Sequence, residues 1–204
     1  ASTGCNTADE LVAYTARVSN PTNQNNNETA PKLLKYLIKN EHWSPFEMVS
    51  VQMSITTTRD ISRQIIRHRS FSFQEYSQRY AEAPEQIYTR EARLQDPDNR
   101  QNSISSDDIN QALRFRKLQE KVGSEARQAY NKALKDGIAK EQARALLPEG
   151  LTETTLIMSG SLRSWIHYCE LRMGNGTQKE HAEIAQMCWS ILSQHFPSVA
   201  AAME

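Results

Sequence analysis

The sequence has few of the residues on which several common kinds of site depend. It contains three cysteines, Cys5, Cys169 and Cys188, and no Cys-x-x-Cys pair. An odd number of scattered thiols argues against a disulfide framework and against a structural zinc site. The seven glycines form no P-loop, and Gly174-Asn175-Gly176 lacks the third glycine of a dinucleotide-binding turn. Any bound phosphate must therefore be held by side chains, which suits the many arginines.

An excess of charge of one sign and long apolar runs are missing as well. Lys plus Arg and Asp plus Glu number 24 each, so the total charge suggests neither bulk nucleic acid nor a membrane surface as partner. No segment approaches the roughly 18 apolar residues of a membrane span, and we expect no secretory signal in this protein. We expect one domain over residues 1–204 in a reduced, soluble, cytoplasmic protein, or in the host cytoplasm if the source is a virus.

Hydrophobic spacing predicts a chain that is mostly helical. Helices are expected after a capping box at Thr7–Glu10, after Thr29, over Arg59–Arg69 with Thr58 as cap, over Asp107–Asp136 with Gly137 as stop, over Ala143–Leu147, around Leu162–Cys169, and after a second capping box at Thr177–Glu180. Val49–Ile55 alternates and Thr152–Met158 is β-branched, so both are predicted strands. Residues 70–100 are predicted to be loop with short strands. The expected class is α+β, a helix-rich single domain with a small antiparallel or mixed sheet.

The segment Arg67–Tyr80 carries the most chemical information. It reads Arg-His-Arg-Ser-Phe-Ser-Phe-Gln-Glu-Tyr-Ser-Gln-Arg-Tyr. Arginine forks bind phosphate in bidentate fashion, hydroxyl groups complete such a cradle, and the aromatic rings offer stacking faces. Two other interpretations remain open: a solvated helix end, where arginine is favoured by the helix dipole, and an arginine-rich nucleic-acid patch.

Arg67-His68-Arg69, seven residues and then Ser77 resembles the signature of the flavin-dependent thymidylate synthases. Further segments look like the family in family order: residues 16–19, 42–47, 143–148 and 170–172. The resemblance spans about residues 10 to 196. It implies the methylation of dUMP to dTMP, with methylenetetrahydrofolate as carbon donor, NADPH as reductant and FAD as hydride carrier. It also implies a homotetramer whose active sites are shared between chains.

The resemblance implies site residues one by one. The expected dUMP site comprises Gln64, Ile65, Ile66, Arg67, Glu75, Tyr76, Ser77, Gln78, Arg79, Arg144 and Arg172. Ser77 and Arg79 would hold the phosphate, Arg144 would reach the nucleotide from another subunit, and Arg172 would be the catalytic residue that polarises the uracil ring. The expected FAD site comprises His42, Ser44, Arg67, His68, Arg69, Glu75, Ser161, Leu162, Arg163 and His167. Many family members carry Asn where Ser161 stands, and the position of His167 also varies.

Spacing along the helix after Ser161 separates two groups of these residues. Arg163 and His167 are four residues apart and share a face, whereas Arg172 lies about half a turn out of phase. Arg172 is thus predicted to face a different ligand.

Other thymidylate synthases activate uracil by adding a cysteine to C6. Here Cys169 and Cys188 lie on apolar helix stripes and Cys5 is near the chain start, so all three are predicted to be structural or incidental. The resemblance implies that no enzyme nucleophile is used. Ser77 is an alternative nucleophile, but its neighbours Tyr76 and Gln78 are not bases. A flavin-binding oligomer without catalysis, or an arginine-rich nucleic-acid-binding module, would be the alternative functions.

Overall fold

The computed structural model describes residues 4–174 and 176–204, and helix dominates it as predicted. The α-helices are α1 Ala8–Ala16, α2 Ala30–Lys39, α3 Arg59–Ile65, α4 Ile109–Lys135, α5 Lys140–Ala143, α6 Leu162–Met173, α7 Lys179–His195 and α8 Pro197–Met203. Short 3-10 helices are η1 Pro21–Asn23, η2 Ser44–Met48 and η3 Arg144–Leu146. The strands are β1 Ser50–Thr58, β2 Ser72–Glu75, β3 Arg93–Gln95, β4 Ser103–Ser105 and β5 Glu153–Ser161. The predicted α+β class is confirmed.

The central sheet has the strand order β1-β5-β2 and is antiparallel throughout. β1 pairs with β5 along its whole length, from Ser50 opposite Ser161 to Thr58 opposite Glu153. Met53 and Ile55 of β1 are buried while Ser54 between them is exposed, so the alternation in the sequence sets which face meets the core. Both predicted strands exist, and each starts one residue later and ends three residues later than predicted. A separate hairpin pairs β3 with β4.

Helix α6 packs on strands β1 and β5, and α1, α2, α7 and α8 join it in one continuous core. Trp165 of α6 is fully buried, and its indole Nε1–H donates to the Val51 carbonyl at 3.0 Å. Burying a side chain of this kind stabilises the fold by roughly 2–3 kcal/mol. This anchor fixes α6, which carries several of the predicted site residues, against β1.

The helix ends agree only in part with the predicted caps. Thr7 caps α1 by accepting a hydrogen bond from the Glu10 backbone N–H. The second capping box is wrong, because α7 starts at Lys179 with Gln178 as its cap and without a side-chain hydrogen bond there. Helix α3 ends at Ile65, not Arg69. The Thr58 hydroxyl does not cap α3 either, since it bonds to Asp60 instead.

Two further predictions concern turns. Gly137 has a φ of 83°, a left-handed conformation that suits glycine, directly after α4 and its cap residue Asp136, so the predicted stop is confirmed. The turn predicted at Gly174-Asn175-Gly176 includes Asn175, which lies outside the described residues.

Helix α4 lies apart from this core and exposes its apolar stripe. Ile109, Leu113, Leu118 and Val122 are between 50% and 75% exposed. The helix instead buries Gln119, Gly123 and Tyr130, where it packs on the loop around residues 83–90. The Tyr130 hydroxyl accepts a hydrogen bond from the Ala83 backbone N–H at 3.0 Å. The face of α4 that carries Gln119, Gly123 and Tyr130 packs on this loop, and the apolar face of α4 is exposed.

Within the part of the chain that the structure describes, no helix combines the length and the apolar character needed to cross a membrane.

Candidate active site

The Arg-His-Arg segment is the connection between α3 and β2, and the sheet positions it. β1 continues directly into α3, whose first residue, Arg59, donates its backbone N–H to the Thr152 carbonyl at 3.0 Å. Phe71 packs into the core immediately before β2 and lies edge-on to Trp165 at 5.0 Å between ring centroids. The chain between Ile65 and Phe71 is therefore held at both ends, and it presents Arg67 and Arg69 to solvent.

Glu75, predicted to bind both ligands, is the meeting point of α3, β2 and β5. Its Oε1 accepts from the hydroxyls of Ser62 at 2.9 Å and Thr154 at 3.1 Å. Arg63 Nη1 lies 3.3 Å from its Oε2, and Arg59 Nη1 lies 3.7 Å from its Oε1. Two cations and two hydroxyl donors therefore fix this carboxylate. Arg59 and Arg63 were not among the predicted site residues, because the sequence could not show which face of α3 meets β2.

Beside Glu75 lies a polar cleft of about 400 Å³. Its lining combines arginines, carboxylates and one amide with short apolar side chains: Arg59, Arg63, Gln78, Glu141, Arg144, Ala145, Leu147 and Glu149. Gln78 is 2% exposed, and its buried Nε2 has no hydrogen-bond partner among the described residues. A buried amide without a partner is costly, so this donor suits a ligand that enters the cleft.

Arg79 and Arg144 meet at the rim of this cleft around Glu141. Arg79 Nε is 3.2 Å from Glu141 Oε2, and Arg144 Nε donates to the Glu141 backbone carbonyl at 3.3 Å. Ser77 Oγ accepts from the Arg79 backbone N–H at 3.4 Å. Ser77 and Arg79, predicted to hold the phosphate, thus lie within one chain beside Arg144, which was predicted to reach the nucleotide from another subunit. A phosphate at this position would compete with Glu141 for Arg79.

Arg172, the predicted catalytic residue, is joined to the signature segment by His68. Arg172 Nε donates to His68 Nε2 at 2.8 Å. Burial first, and then the charge of Arg172, lowers the pKa of His68. The imidazole is therefore neutral, with its proton on Nδ1, because arginine can only donate. Among the described residues no hydrogen bond occupies the two terminal nitrogens of Arg172.

A buried pair of polar rings lies behind His68. Tyr168 is 1% and His181 0% exposed, and the Tyr168 hydroxyl lies 3.1 Å from His181 Nε2. The His68 ring is edge-on to both rings, with centroids 4.9 Å from Tyr168 and 6.2 Å from His181. Burial, and then the charges of Arg172 and His68, lowers the pKa of His181 to about 4. Neither Tyr168 nor His181 was a predicted site residue.

Arg67 and Arg69 differ from the other site arginines because their guanidinium groups have no hydrogen-bond or ion-pair partner among the described residues. Both are exposed, and neither guanidinium is hydrogen-bonded to a described residue. Gln64, one turn earlier, donates its Nε2 to Gln178 Oε1 at 2.7 Å. Arg63 turns instead to Glu75. Arg63, Gln64 and Arg67 therefore do not act as one group, because α3 ends at Ile65 and the side chains of Arg63 and Gln64 reach different partners.

A third group of predicted residues gathers where η2 meets α6. Arg163 Nη1 contacts Glu47 Oε1 at 2.6 Å, and the His167 ring lies 4.6 Å from the Trp43 ring. The Ser161 hydroxyl and Arg163 hold the pKa of Glu47 below its usual value. Ser44, at the start of η2, is exposed. Arg163 and His167 share one face as predicted, whereas Arg172 faces His68.

Two predicted contacts have their side chains in the core, and others have local partners. Ile65 and Leu162 are fully buried, so a ligand could meet only their backbone, and the Leu162 N–H already donates to the Val49 carbonyl. Ser161 Oγ caps α6 by accepting from the Ser164 N–H. Three predicted site residues remain. Ile66 is half-buried, and Tyr76 is exposed with its hydroxyl donating to the Glu82 carbonyl. His42 is exposed, and its ring centroid lies 6.0 Å from that of Tyr36.

The thiols lie as the helical stripes predict. Cys169 is 0% and Cys188 is 4% exposed. Burial raises the pKa of the Cys188 thiol to about 12 and raises that of Cys169 as well. A buried, protonated thiol is a poor nucleophile.

Comparison with known protein families places most of this chain in one of them. A family model described as "Thymidylate synthase complementing protein" matches residues 3–198. The chain is 51% identical over 201 residues to a protein of Paramecium bursaria Chlorella virus 1 named "Probable flavin-dependent thymidylate synthase", covering 98% of this chain and 93% of that one. It is 52% identical over 195 residues to the flavin-dependent thymidylate synthase of a Synechocystis strain, covering 95% and 88% of the two chains.

A solved structure also resembles the fold. The match is a UMP/dUMP methylase, PolB from Streptomyces cacaoi, bound with 5-Br dUMP. The TM-score is 0.82 at 28% sequence identity, over 95% of this chain and 89% of the other.

Proposed function

We propose a complete reaction from one premise: the chain belongs to the family of flavin-dependent thymidylate synthases. It is accordingly an FAD-dependent methyltransferase that acts on dUMP. The reaction that we propose is the reductive methylation of dUMP to dTMP, in which methylenetetrahydrofolate donates the carbon and NADPH the reducing equivalents. No cysteine of the enzyme attacks the pyrimidine.

The cleft beside Glu75 suits the nucleotide. Ser77, Arg79 and Arg144 offer a hydroxyl and two guanidinium groups at its rim, which is the donor set that a phosphate monoester needs. Gln78 adds a buried amide N–H that has no other partner among the described residues. The methylase PolB, a relative of the same fold, was solved with a halogenated dUMP. We place dUMP in this cleft with its phosphate at the rim.

The residues of this chain also suit FAD. Arg67 and Arg69 are exposed and unpaired among the described residues, so they can bind a diphosphate without first breaking an ion pair. Ser44, Arg163 and His167 form a second set of polar contacts between η2 and α6. Glu47 holds Arg163 at 2.6 Å, so a flavin that contacts Arg163 must share it with this carboxylate. Bound FAD supplies the hydride chemistry that no amino-acid side chain can perform.

The pair Arg172–His68 carries the mechanistic proposal. His68 accepts the hydrogen bond from Arg172 Nε. The two terminal nitrogens of Arg172 are then available to donate to the carbonyl oxygens of uracil. Arginine remains protonated and donates in a fixed geometry, so it stabilises negative charge that develops on the ring. Because His68 is held neutral, it does not repel Arg172. Cys169 and Cys188 are buried and protonated, which supports activation of C5 without a thiolate.

We further propose that four copies of the chain assemble and that each active site is shared. Ile109, Leu113, Leu118 and Val122 form an exposed apolar stripe on α4. Soluble monomers rarely leave such a stripe uncovered, and a second copy of the chain would bury it. The phosphate-binding rim and the Arg67–Arg69 segment would then meet across a subunit boundary.

The test is an anaerobic assay of dTMP formation from dUMP, methylenetetrahydrofolate, NADPH and FAD, run also without each component. We expect product only in the complete mixture. A Cys5→Ala variant run beside the wild type should be equally active. A flavin-loaded protein that forms no dTMP would favour a flavin-binding oligomer without catalysis. A colourless protein that binds oligonucleotides with a steep salt dependence would favour the nucleic-acid module.

A further inference from the structure

Two buried hydrogen-bond donors without an acceptor line the same cleft. Arg59 is 7% and Gln78 2% exposed, and both belong to the wall of the polar cleft beside Glu75. Arg59 Nη1 and Gln78 Nε2 are buried, and neither atom has a hydrogen-bond partner among the described residues. We call these two groups the inner donors. Leaving even one buried N–H group unpaired is costly, so two of them in one cleft indicate that the cleft binds an oxygen acceptor.

Two other arginines with an unpartnered buried nitrogen are held in a different way. Arg90 and Arg127 each lack an acceptor at Nε. A terminal nitrogen of Arg90 donates to Asp60, and both terminal nitrogens of Arg127 donate to backbone carbonyls. Neither arginine lines this cleft. The guanidinium of Arg59, by contrast, makes no hydrogen bond to any described residue, so its orientation leaves it free for a ligand.

The charge of Arg59 is only partly compensated by its surroundings. Carboxylate oxygens of Glu75 and Glu149 lie 3.7 and 3.9 Å from nitrogens of Arg59, which is longer than a hydrogen bond. Burial lowers the pKa of Arg59, and these two carboxylates offset that effect only in part. Arginine nevertheless keeps its proton in proteins. Arg59 is therefore a buried cation that is available to an anion entering the cleft.

We propose that Arg59 is a further dUMP-binding residue, and that Arg59 Nη1 and Gln78 Nε2 donate to oxygens of the 5′-phosphate. This inference rests on the proposed function, which places dUMP in this cleft with its phosphate held by Ser77, Arg79 and Arg144. Arg144 lines the same cleft as the inner donors, so one phosphate can contact both sets. A phosphate monoester has three strong acceptor oxygens, enough for all of these donors.

The inner donors and the residues at the rim of the cleft differ in what they exchange for the phosphate. Arg79 must give up its ion pair with Glu141, and because both side chains are exposed, the net gain is small. The inner donors give up no hydrogen bond and are shielded from water, where charged hydrogen bonds are strong. Glu149 can turn away from Arg59, since its side chain is 54% exposed. We therefore expect Arg59 to contribute more to phosphate recognition than Arg79.

The test compares dUMP with deoxyuridine, which lacks only the phosphate. Both are titrated calorimetrically into the FAD-loaded wild type and into Arg59→Gln, which keeps a polar side chain without the charge. We expect Arg59→Gln to weaken dUMP binding by at least about tenfold, the effect of one charged hydrogen bond, and to leave deoxyuridine binding unchanged. Gln78→Met removes the other inner donor at similar volume and should weaken dUMP several-fold while sparing deoxyuridine.

Arg127→Gln is the matched control. It removes a half-buried arginine that also carries an unpartnered Nε but lies outside the cleft. It should keep the wild-type affinity for both ligands. The flavin content of each variant is measured from its absorbance, because the diphosphate of FAD is a second source of phosphate oxygens, and Arg59→Gln should retain its FAD.

Other results would overturn the inference. If Arg59→Gln weakens dUMP and deoxyuridine by the same factor, or weakens neither, the inner donors do not bind the phosphate of dUMP. Loss of FAD with an unchanged ratio of the two dissociation constants would assign the inner donors to the flavin instead. Should Arg59→Gln fail to fold, the same ratio measured for Gln78→Met decides. A wild-type protein that loads FAD but binds no dUMP would overturn the proposed function itself, and the role of Arg59 with it.

Discussion

His181 makes the stability of this protein sensitive to acid in a defined window. The ring is fully buried, and its pKa is lowered from 6.5 to about 4 by burial and by the nearby charges of Arg172 and His68. Protons therefore bind the unfolded chain before they bind the folded one. The free energy of unfolding falls as the pH drops below about 6.5, and this loss is complete near pH 4.

The size of the effect follows from these two values. At pH 5 the unfolded histidine is almost fully protonated while the folded one is mostly neutral, so this one ring costs about 2 kcal/mol of stability relative to neutral pH. His68, whose pKa is lowered by burial and by Arg172, adds to the loss in the same window. Carboxylates with a lowered pKa, such as Glu47 and Glu180, lose their contribution at lower pH, as they become protonated.

The perturbation is His181→Gln, which keeps a hydrogen-bonding group beside Tyr168 but cannot titrate. Urea unfolding is measured at pH 7.5 and pH 5.0, at one protein concentration and one FAD loading, since both shift apparent stability. We expect the wild type to lose about 2 kcal/mol more than the variant between the two pH values. His195→Gln, an exposed position on the same helix, should behave like the wild type. Equal losses in the wild type and His181→Gln would refute the assignment.

Three further predictions test the proposed reaction. Arg172→Lys should keep FAD bound yet form dTMP at least about tenfold more slowly, because lysine keeps the charge and loses the fork; near-normal turnover contradicts this role. Cys169→Ala with Cys188→Ala should stay active at a stability cost on the order of 1 kcal/mol per site; a folded, flavin-loaded double variant without turnover contradicts the thiol-free mechanism. Inactive Arg144→Ala and Arg67→Ala chains should regain part of the activity when they are co-expressed. Mixed tetramers without activity would contradict active sites that are shared in this way. Light scattering that shows an active monomer would contradict the proposed tetramer.

Local sequence determined the parts of the fold whose signals lie within a few residues. The alternation at Val49–Ile55 predicts β1 because side chains in a strand point to opposite faces in turn. Gly137 ends α4 because its left-handed backbone suits glycine. The buried positions of Cys169 and Cys188 also follow from helical spacing alone. The family resemblance, carried by Arg67-His68-Arg69 and Ser77, predicted the enzyme class and FAD.

Contacts between distant segments could not be predicted in this way. No local sequence pattern predicts that the Glu75 carboxylate lies beside Arg59 and Arg63. The reason is that β2 pairs with β5, a strand that lies about 80 residues later in the chain. The second capping box failed since Glu180 is taken by Arg93, an ion pair across 87 residues.

The difference between what could and could not be predicted from the sequence has a simple physical origin. The spacing of apolar residues and the turns are set by the backbone and its nearest neighbours, so the sequence by itself determined most helices and strands of this protein and the residue types of its site. Which donor meets which acceptor depends on how those elements pack. Only the tertiary structure joined Arg172 to His68 and Gln64 to Gln178, and left Arg67 and Arg69 unpaired among the described residues.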